Sequence, residues 1–292
     1  MPVIGRFAPS PTGPLHFGSL VAATASYLAA RQAGGKWLLR IEDIDKPREQ
    51  SGAADSIIHT LTAYGFGWDG DILYQSQRLD AYHEALASLR GHTYPCTCSR
   101  KDLQTHGLMG AFGVIYPGSC RDKPTSDKVS NQHAIRLRTH NEPICFQDRI
   151  QGKHCQQLES ELGDFVILRA DGLFAYQLAV VVDDAFQGVT QVVRGADLLD
   201  NTPRQIWLQQ LLGFPQPDYA HVPLVLNESG QKLSKQNLAP AISTQGHLQR
   251  LVAALRFLRQ PCPDASAFAN LTELWDWAIA HWDMTAIGKT QV

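Results

Sequence analysis

Three groups of residues in this chain have types and spacings that could do chemistry. The first is Gly13-Pro14-Leu15-His16-Phe17-Gly18-Ser19, between a short apolar stretch and an Ala-rich one. Glycines there would let backbone N–H groups approach phosphates, and a helix amino terminus favours negative charge. A histidine at such a turn can donate to phosphate oxygens as charge develops. The second is Lys232-Leu233-Ser234-Lys235, shortly after Gly230. Its lysines are mobile point charges that could neutralise phosphates. Taken singly, a loop histidine satisfied by backbone and a solvated lysine pair fit these residues as well. The third is Cys96-Thr97-Cys98 with Tyr116 and Cys120. Three sulfurs and a phenol oxygen could build a four-coordinate zinc site, with His106 or water competing for the fourth place. Such zinc would be structural, and three free loop cysteines are the alternative. Cys145, Cys155 and Cys262 lack this company and are expected to be core or surface thiols. Disulfides are not expected in a chain of this size without a secretory signal.

These groups need elements to hold them. Residues 2–7 read as a strand that Pro9 and Pro11 end. Ser19 can cap a helix with an apolar face through Leu20, Ala23, Tyr27 and Leu28, which Gly34-Gly35 ends. Lys36–Glu42 reads as a second strand, so the unit predicts parallel pairing through a right-handed crossover. Helices are expected near 49–64 and 78–89. Residues 95–150 gather cysteines, prolines and glycines, with short strands such as Ala134–Arg138, and read as an insertion. Strands at Phe165–Leu168, Leu178–Val182 and Val189–Arg194 are expected to resume the nucleotide fold. A helix near Pro203–Leu212 and a strand at Val222–Leu226 follow. After Pro240 the pattern is helical, with Leu248, Leu251, Leu255 and Leu258 at helical spacing.

The phrase Arg6-Phe7-Ala8-Pro9-Ser10-Pro11-Thr12-Gly13 leading into His16 resembles the opening of glutamyl and glutaminyl class I tRNA synthetases. His16-Phe17-Gly18-Ser19 resembles their His-Ile-Gly-His signature, with Phe17 and Ser19 as departures. Lys232–Lys235 resembles their Lys-Met-Ser-Lys-Ser loop. The resemblance covers about residues 3–240 and implies an α/β fold: a Rossmann-type parallel sheet with a zinc-containing insertion and a short C-terminal helical subdomain. It implies catalytic roles for His16 and Lys235, and ATP, with Mg2+, bound by Gly13, His16, Gly18, Ser19, Lys232 and Lys235. Arg6, Ala8, Ser10, Glu42, Tyr176 and Arg194 match the glutamate-binding positions. The residue types suit that ligand. Arginines grip carboxylates bidentately, Glu42 offers an anion to the ammonium, and Tyr176 adds a hydroxyl and an aromatic wall. Which arginine takes which carboxylate stays open, and a surface ion pair is the commoner fate of such residues singly. Strand alternation puts Arg40 and Glu42 on one face and Asp43 on the other, where it could pair with Arg48 or cap a helix.

The cysteine pattern with Tyr116 resembles the zinc site of the shorter, glutamyl-queuosine-forming relatives of these enzymes. Only 57 residues follow Lys235 in this sequence, so no anticodon-binding domain is expected. The expected division is 1–94 and 165–240 for the two halves of the catalytic domain, 95–164 for the insertion and 241–292 for the helical end. The resemblance then implies glutamate activation with ATP and no tRNA, followed by transfer to queuosine in the anticodon loop of tRNA(Asp). The alternatives are a shortened glutamyl-tRNA synthetase acting on a 3′ end, a non-catalytic glutamate or tRNA binder, and an adenylyltransferase for another small molecule. Bulk properties narrow little. With 44% hydrophobic and 18% charged residues among 292, a sizeable core is expected. The formal net charge of −2 does not advertise nucleic acid, although basic residues clustered on one face could still bind it. No apolar run reaches the roughly 18 residues of a membrane span. A monomer in the cytoplasm is expected.

Overall fold

The computed structural model describes residues 2–123, 133–226 and 240–289. The chain opens with strand β1 (Ile4–Phe7), helix α1 (Phe17–Gln32) and strand β2 (Lys36–Ile41), and β1 and β2 pair in parallel with Arg6 opposite Leu38. A Cβ on Gly5 would lie 3.2 Å from the Ala30 Cβ, so glycine lets α1 settle closely on the strand. α1 begins earlier than its sequence suggests. His16, not Ser19, is its cap, with Nδ1 accepting the Ser19 N–H at 3.3 Å. Nor does the helix bury a single face. Every residue from Leu20 to Ala30 except Ala22 is buried, because the sheet covers one side and later helices the other. Helix α2 (Ala53–Ala63) then leads to β3 (Leu73–Tyr74), parallel to β2, and on to helix α3 (Leu79–Ser88).

A second body of chain follows. Strand β4 (Thr93–Cys96), helix α4 (Arg100–His106), the hairpin β5 (Leu108–Gly110) and β6 (Gly113–Ile115), and β7 (Ala134–Leu137) come first. β8 (Ile144–Asp148), β9 (Gly152–Gln156), the short α5 (Leu158–Glu161) and β10 (Phe165–Leu168) complete it. β4, β7 and β10 form an antiparallel sheet. Phe165–Leu168 is therefore a partner of the insertion's own strands and not a strand of the parallel sheet. Cys145 and Cys155 face each other across the β8–β9 hairpin and form a disulfide, with Cα atoms 4.1 Å apart. Sequence spacing gave no hint of this, because the pairing depends on the hairpin register. Cys262 is a buried core thiol.

The chain returns through α6 (Tyr176–Phe186), β11 (Gln191–Gly195), α7 (Thr202–Leu212) and β12 (Asp218–Val222). Leu178–Val182, expected as a strand, lies in α6, and all five residues are buried. A short apolar run reads as a buried strand or a buried helix, and here the helix wins because both faces are covered. The strand expected at Val222–Leu226 ends at Val222 instead. β12 pairs in parallel with β11 and with β8. Thr190 donates its N–H to the Ile4 carbonyl at 3.0 Å, and Ile4 N–H reaches Thr190 Oγ1 at 2.9 Å. These bonds seat β11 beside β1. From that junction the order runs outward through β2 and β3 on one side and through β12, β8 and β9 on the other.

Finally, α8 (His247–Phe257) and α9 (Leu271–His281) join the core of α1. Trp275 packs against Tyr27 with ring centroids 4.8 Å apart and donates its indole N–H to the Tyr64 carbonyl at 3.0 Å. A separate core gathers around α6, α7 and β8. Tyr94, Cys96, Tyr116 and Cys120 make a third, small one.

Candidate active site

The junction of β1 and β11 is where the strand order diverges, and in open α/β sheets such a switch point forms a crevice at the strands' carboxyl ends. A cleft of about 590 Å3 opens there. β1 delivers Arg6 and Phe7 to it, the end of β2 delivers Glu42, α6 delivers Tyr176, and β11 delivers Arg194. Ala8, Ser10, His16, Gly18 and Ser19 line the same cleft, as do Thr12, Asp197 and Leu198. The sequence had proposed nine of these side chains as ligands, and they meet in one place. Gly13 lies in the turn just before them, with φ 140°. Lys232 and Lys235 lie outside the described residues. The described chain on either side of them borders the cleft: Val225 lines it, and Ala241 bridges to His16.

The histidine turn has a defined geometry. With Nδ1 of His16 accepting the Ser19 amide, the hydrogen of a neutral ring sits on Nε2. A Cβ on Gly18 would come within 3.1 Å of that ring, so any side chain there would push the histidine aside. The Glu42 N–H donates to the Pro9 carbonyl at 3.0 Å, which ties the segment after β1 to the end of β2.

The charged floor is more elaborate than its sequence suggested. Arg6 is buried and binds Asp184 through Nε at 3.2 Å and Nη2 at 3.4 Å. Asp184 also receives Arg40 at 2.8 Å, and Arg40 reaches Glu42 at 3.4 Å. Burial opposes ionisation of Asp184, but Arg6 and Arg40 outweigh it and hold its carboxyl below the usual range. Glu42 goes the other way. Burial pushes it up to about 6 against the pull of Arg40 and Arg6. Asp184 and Arg40 were not singled out as site residues. Asp184 stands eight positions after Tyr176, two turns along the helix, a relation that the strand-like apolar run between them hides. Asp43 is not paired with Arg48. It accepts Ser76 N–H at 2.8 Å and the Ser76 hydroxyl at 2.5 Å, while Arg48 binds Asp45.

Arg194 is held differently. Its Nε donates to His221 Nε2 at 3.0 Å, Nη2 to Thr202 Oγ1 at 2.9 Å, and Nη1 to the Tyr176 hydroxyl at 3.3 Å. His221 in turn sits 2.6 Å from Asp148 through Nδ1.

Away from the cleft, the sulfurs of Cys96, Cys98 and Cys120 lie within 4.8 Å of one another. The Tyr116 hydroxyl is 3.5 Å from Cys96 Sγ and accepts the Cys120 N–H at 2.9 Å. These three soft donors could hold a zinc ion, and the Tyr116 hydroxyl lies beside them. Among the described residues, His106 does not join the group. No described helix is long and apolar enough to cross a membrane.

Comparison with known proteins agrees with this architecture. Residues 2–257 match the family model of the class I tRNA synthetase (E and Q) catalytic domain. The glutamyl-Q tRNA(Asp) synthetase of Dechloromonas aromatica is 54% identical over 292 residues, covering 99% of this chain and 96% of that one. The same-named protein of Thiobacillus denitrificans is 56% identical, covering 96% and 93%. Among solved structures, a glutamate tRNA ligase from Elizabethkingia meningosepticum in complex with its amino acid superposes with a TM-score of 0.81. At 24% identity, over 99% of this chain and 66% of that one, it shares the fold. By sequence along its whole length and by its sheet, this chain belongs to the glutamyl-Q tRNA(Asp) synthetase family of ligase-type enzymes, within the class I tRNA synthetases.

Proposed function

We propose that the cleft activates L-glutamate with ATP and Mg2+ without tRNA, and that the enzyme then esterifies glutamate to queuosine at the wobble position of tRNA(Asp). The observation that carries the first half is the meeting of Arg6, Glu42, Tyr176 and Arg194 beside the capped His16 turn. The second half is supported by near full-length identity to relatives that bear that name. In activation an α-carboxylate oxygen of glutamate attacks the α-phosphorus of ATP. The new O–P bond forms, the bond to the β-phosphate oxygen breaks, and pyrophosphate leaves. His16 and Lys235 stabilise the charge that develops, and Gly13, Gly18, Ser19 and Lys232 position the nucleotide. Arg6 and Arg194 hold carboxylates, Glu42 holds the ammonium, and Ala8 and Ser10 border the ligand. In transfer a hydroxyl of the queuosine cyclopentene diol attacks the adenylate carbonyl, gives up its proton, and AMP leaves.

In this reading the division follows the sheets: β10 goes with the insertion's β4 and β7, the β8–β9 hairpin goes with the catalytic body, residues 241–292 form the helical end, and the enzyme works as a cytoplasmic monomer. Cys96, Cys98, Cys120 and Tyr116 would hold one zinc that fixes the insertion's small core and takes no part in the reaction. Cys98→Ser should then lose the metal, and equal zinc content in the variant would remove Cys98 from the ligand set.

Glutamate-dependent ATP–pyrophosphate exchange tests the activation step, with aspartate and glutamine as controls. Exchange with glutamate alone is expected, whereas exchange only with tRNA would favour a shortened conventional synthetase. Labelled glutamate lost with the 3′-terminal adenosine of the tRNA would sink the queuosine assignment. Lys235→Ala should slow exchange by about a hundredfold or more with glutamate binding largely kept.

A further inference from the structure

We infer that Asp148 and His221 form a buried positioning relay that fixes the guanidinium of Arg194 for its carboxylate ligand. The inference rests on the proposed glutamate-binding role of Arg194. His221 and Asp148 are buried in strands β12 and β8, behind the cleft rather than in it. The Oδ1 atom of Asp148 is pinned by backbone amides: Ile150 N–H at 2.9 Å, Gln151 N–H at 2.8 Å and His221 N–H at 3.2 Å. That leaves Oδ2 to accept from His221 Nδ1 at 2.6 Å. The tautomer follows. With the hydrogen on Nδ1, Nε2 carries a lone pair, and Arg194 Nε–H donates to it at 3.0 Å.

The charge state agrees with this geometry. Burial pulls the His221 imidazole down to about 4, Arg194 adds to the effect, and Asp148 only partly opposes it. A neutral ring is required, since an imidazolium would present N–H to N–H against the arginine. Thr202 Oγ1 and the Leu198 carbonyl take the Nη2 end at 2.9 and 3.5 Å. With Nε and Nη2 both held from behind, Nη1, beside the Tyr176 hydroxyl, is what Arg194 offers a ligand. Three neutral acceptors thus set the plane of the guanidinium, and with it the direction in which Nη1 points, before glutamate arrives.

Asp148→Asn tests the tautomer with almost no change in volume. The amides hold the carboxamide oxygen at the Oδ1 position, so its NH2 must face Nδ1. His221 then carries its hydrogen on Nε2, pointed at Arg194 Nε–H. A similar flip underlies the loss of activity when the aspartate of a serine-protease triad becomes asparagine. The glutamate KM in pyrophosphate exchange should rise about tenfold or more, with the ATP KM and kcat within about twofold of the parent. His221→Phe should behave alike, and His221→Gln, whose oxygen can accept from Arg194, should recover most of the loss. Asp148→Asn carries the test if His221→Phe fails to fold. A glutamate KM unchanged in Asp148→Asn, or an equal rise in the glutamate and ATP KM values, would overturn the relay. Arg194→Ala is the control. If that variant also leaves the glutamate KM unchanged, the site assignment fails rather than the relay alone.

Discussion

The two arginines of the cleft are held by opposite means. Arg6 is clasped by a carboxylate, Asp184, which also binds Arg40. Arg194 hydrogen-bonds neutral acceptors, and among the described residues no carboxylate lies within ion-pair distance of it. Of the anions on its side, Asp148 is one residue removed, behind His221, and Asp197 lines the cleft nearby. Arg6 therefore meets a ligand with its charge largely answered, and its loss would strand a buried carboxylate. Arg194 meets a ligand with no carboxylate in direct contact among the described residues, and the groups its loss leaves without a donor are neutral. One arginine belongs as much to the fold as to the site. The other, in the proposed reading, belongs mainly to the ligand.

The largest effect should follow removal of the arginine without a direct ion pair. Arg194→Ala is expected to raise the glutamate KM by roughly a hundredfold or more, as charge-assisted bonds are lost, with little change in stability. Steady-state exchange and urea unfolding on the same preparation read the two quantities. A large loss of stability would break the comparison, because it would mean that Arg194 also balances a buried charge.

Arg6→Ala should show the reverse balance. Asp184 would keep Arg40 at 2.8 Å but lose its other partner. Breaking a buried pair costs about 3–5 kcal/mol, and the remaining arginine should hold the loss near the lower end, about 3 kcal/mol. Adding Asp184→Asn to that variant should restore much of the stability by removing the stranded charge, though not glutamate binding. A double variant no more stable than Arg6→Ala would show that the pair does not act through its charges.

The contrast also explains which parts of the site were legible in the sequence. Arg6, His16, Glu42, Tyr176 and Arg194 stand in distinctive phrases; Arg6, Glu42 and Arg194 reach the cleft on strand ends that fall where the local pattern indicates, whereas Tyr176 arrives on a helix that the pattern reads as a strand. Their supporting partners had no such phrase. Asp184 closes an apolar run whose helical character depends on burial on both faces. His221 and Asp148 are single polar residues in β-strands, and β12 and β8 become neighbours only when the sheet forms. The Cys145–Cys155 disulfide was hidden for the same reason, since hairpin register is not written in spacing. Residues proposed to touch the ligand were readable from local sequence, and residues that hold them were long-range facts of topology.

The two acidic groups on the Arg6 side offer the subtlest test. Asp184, with Arg6 and Arg40 both against it, stays ionised well into acid. Glu42, ion-paired among the described residues with Arg40 alone, is pushed by burial up to about 6. Below that pH Glu42 takes a proton and loses its hold on the substrate ammonium. Above it, the carboxylate is charged and binding is complete. The kcat/KM for glutamate should therefore be flat above about pH 7 and fall below about 6, toward about tenfold per unit. Bound ammonium favours the charged form, so kcat should begin to fall at a lower pH than kcat/KM. Glutamate's own side-chain carboxyl titrates near 4.3, below this window. Glu42→Gln should bind glutamate more weakly and lose the step near pH 6. If the step survives that substitution, another group titrates there, and the distinction between the doubly clasped Asp184 and the singly contacted Glu42 loses its functional meaning.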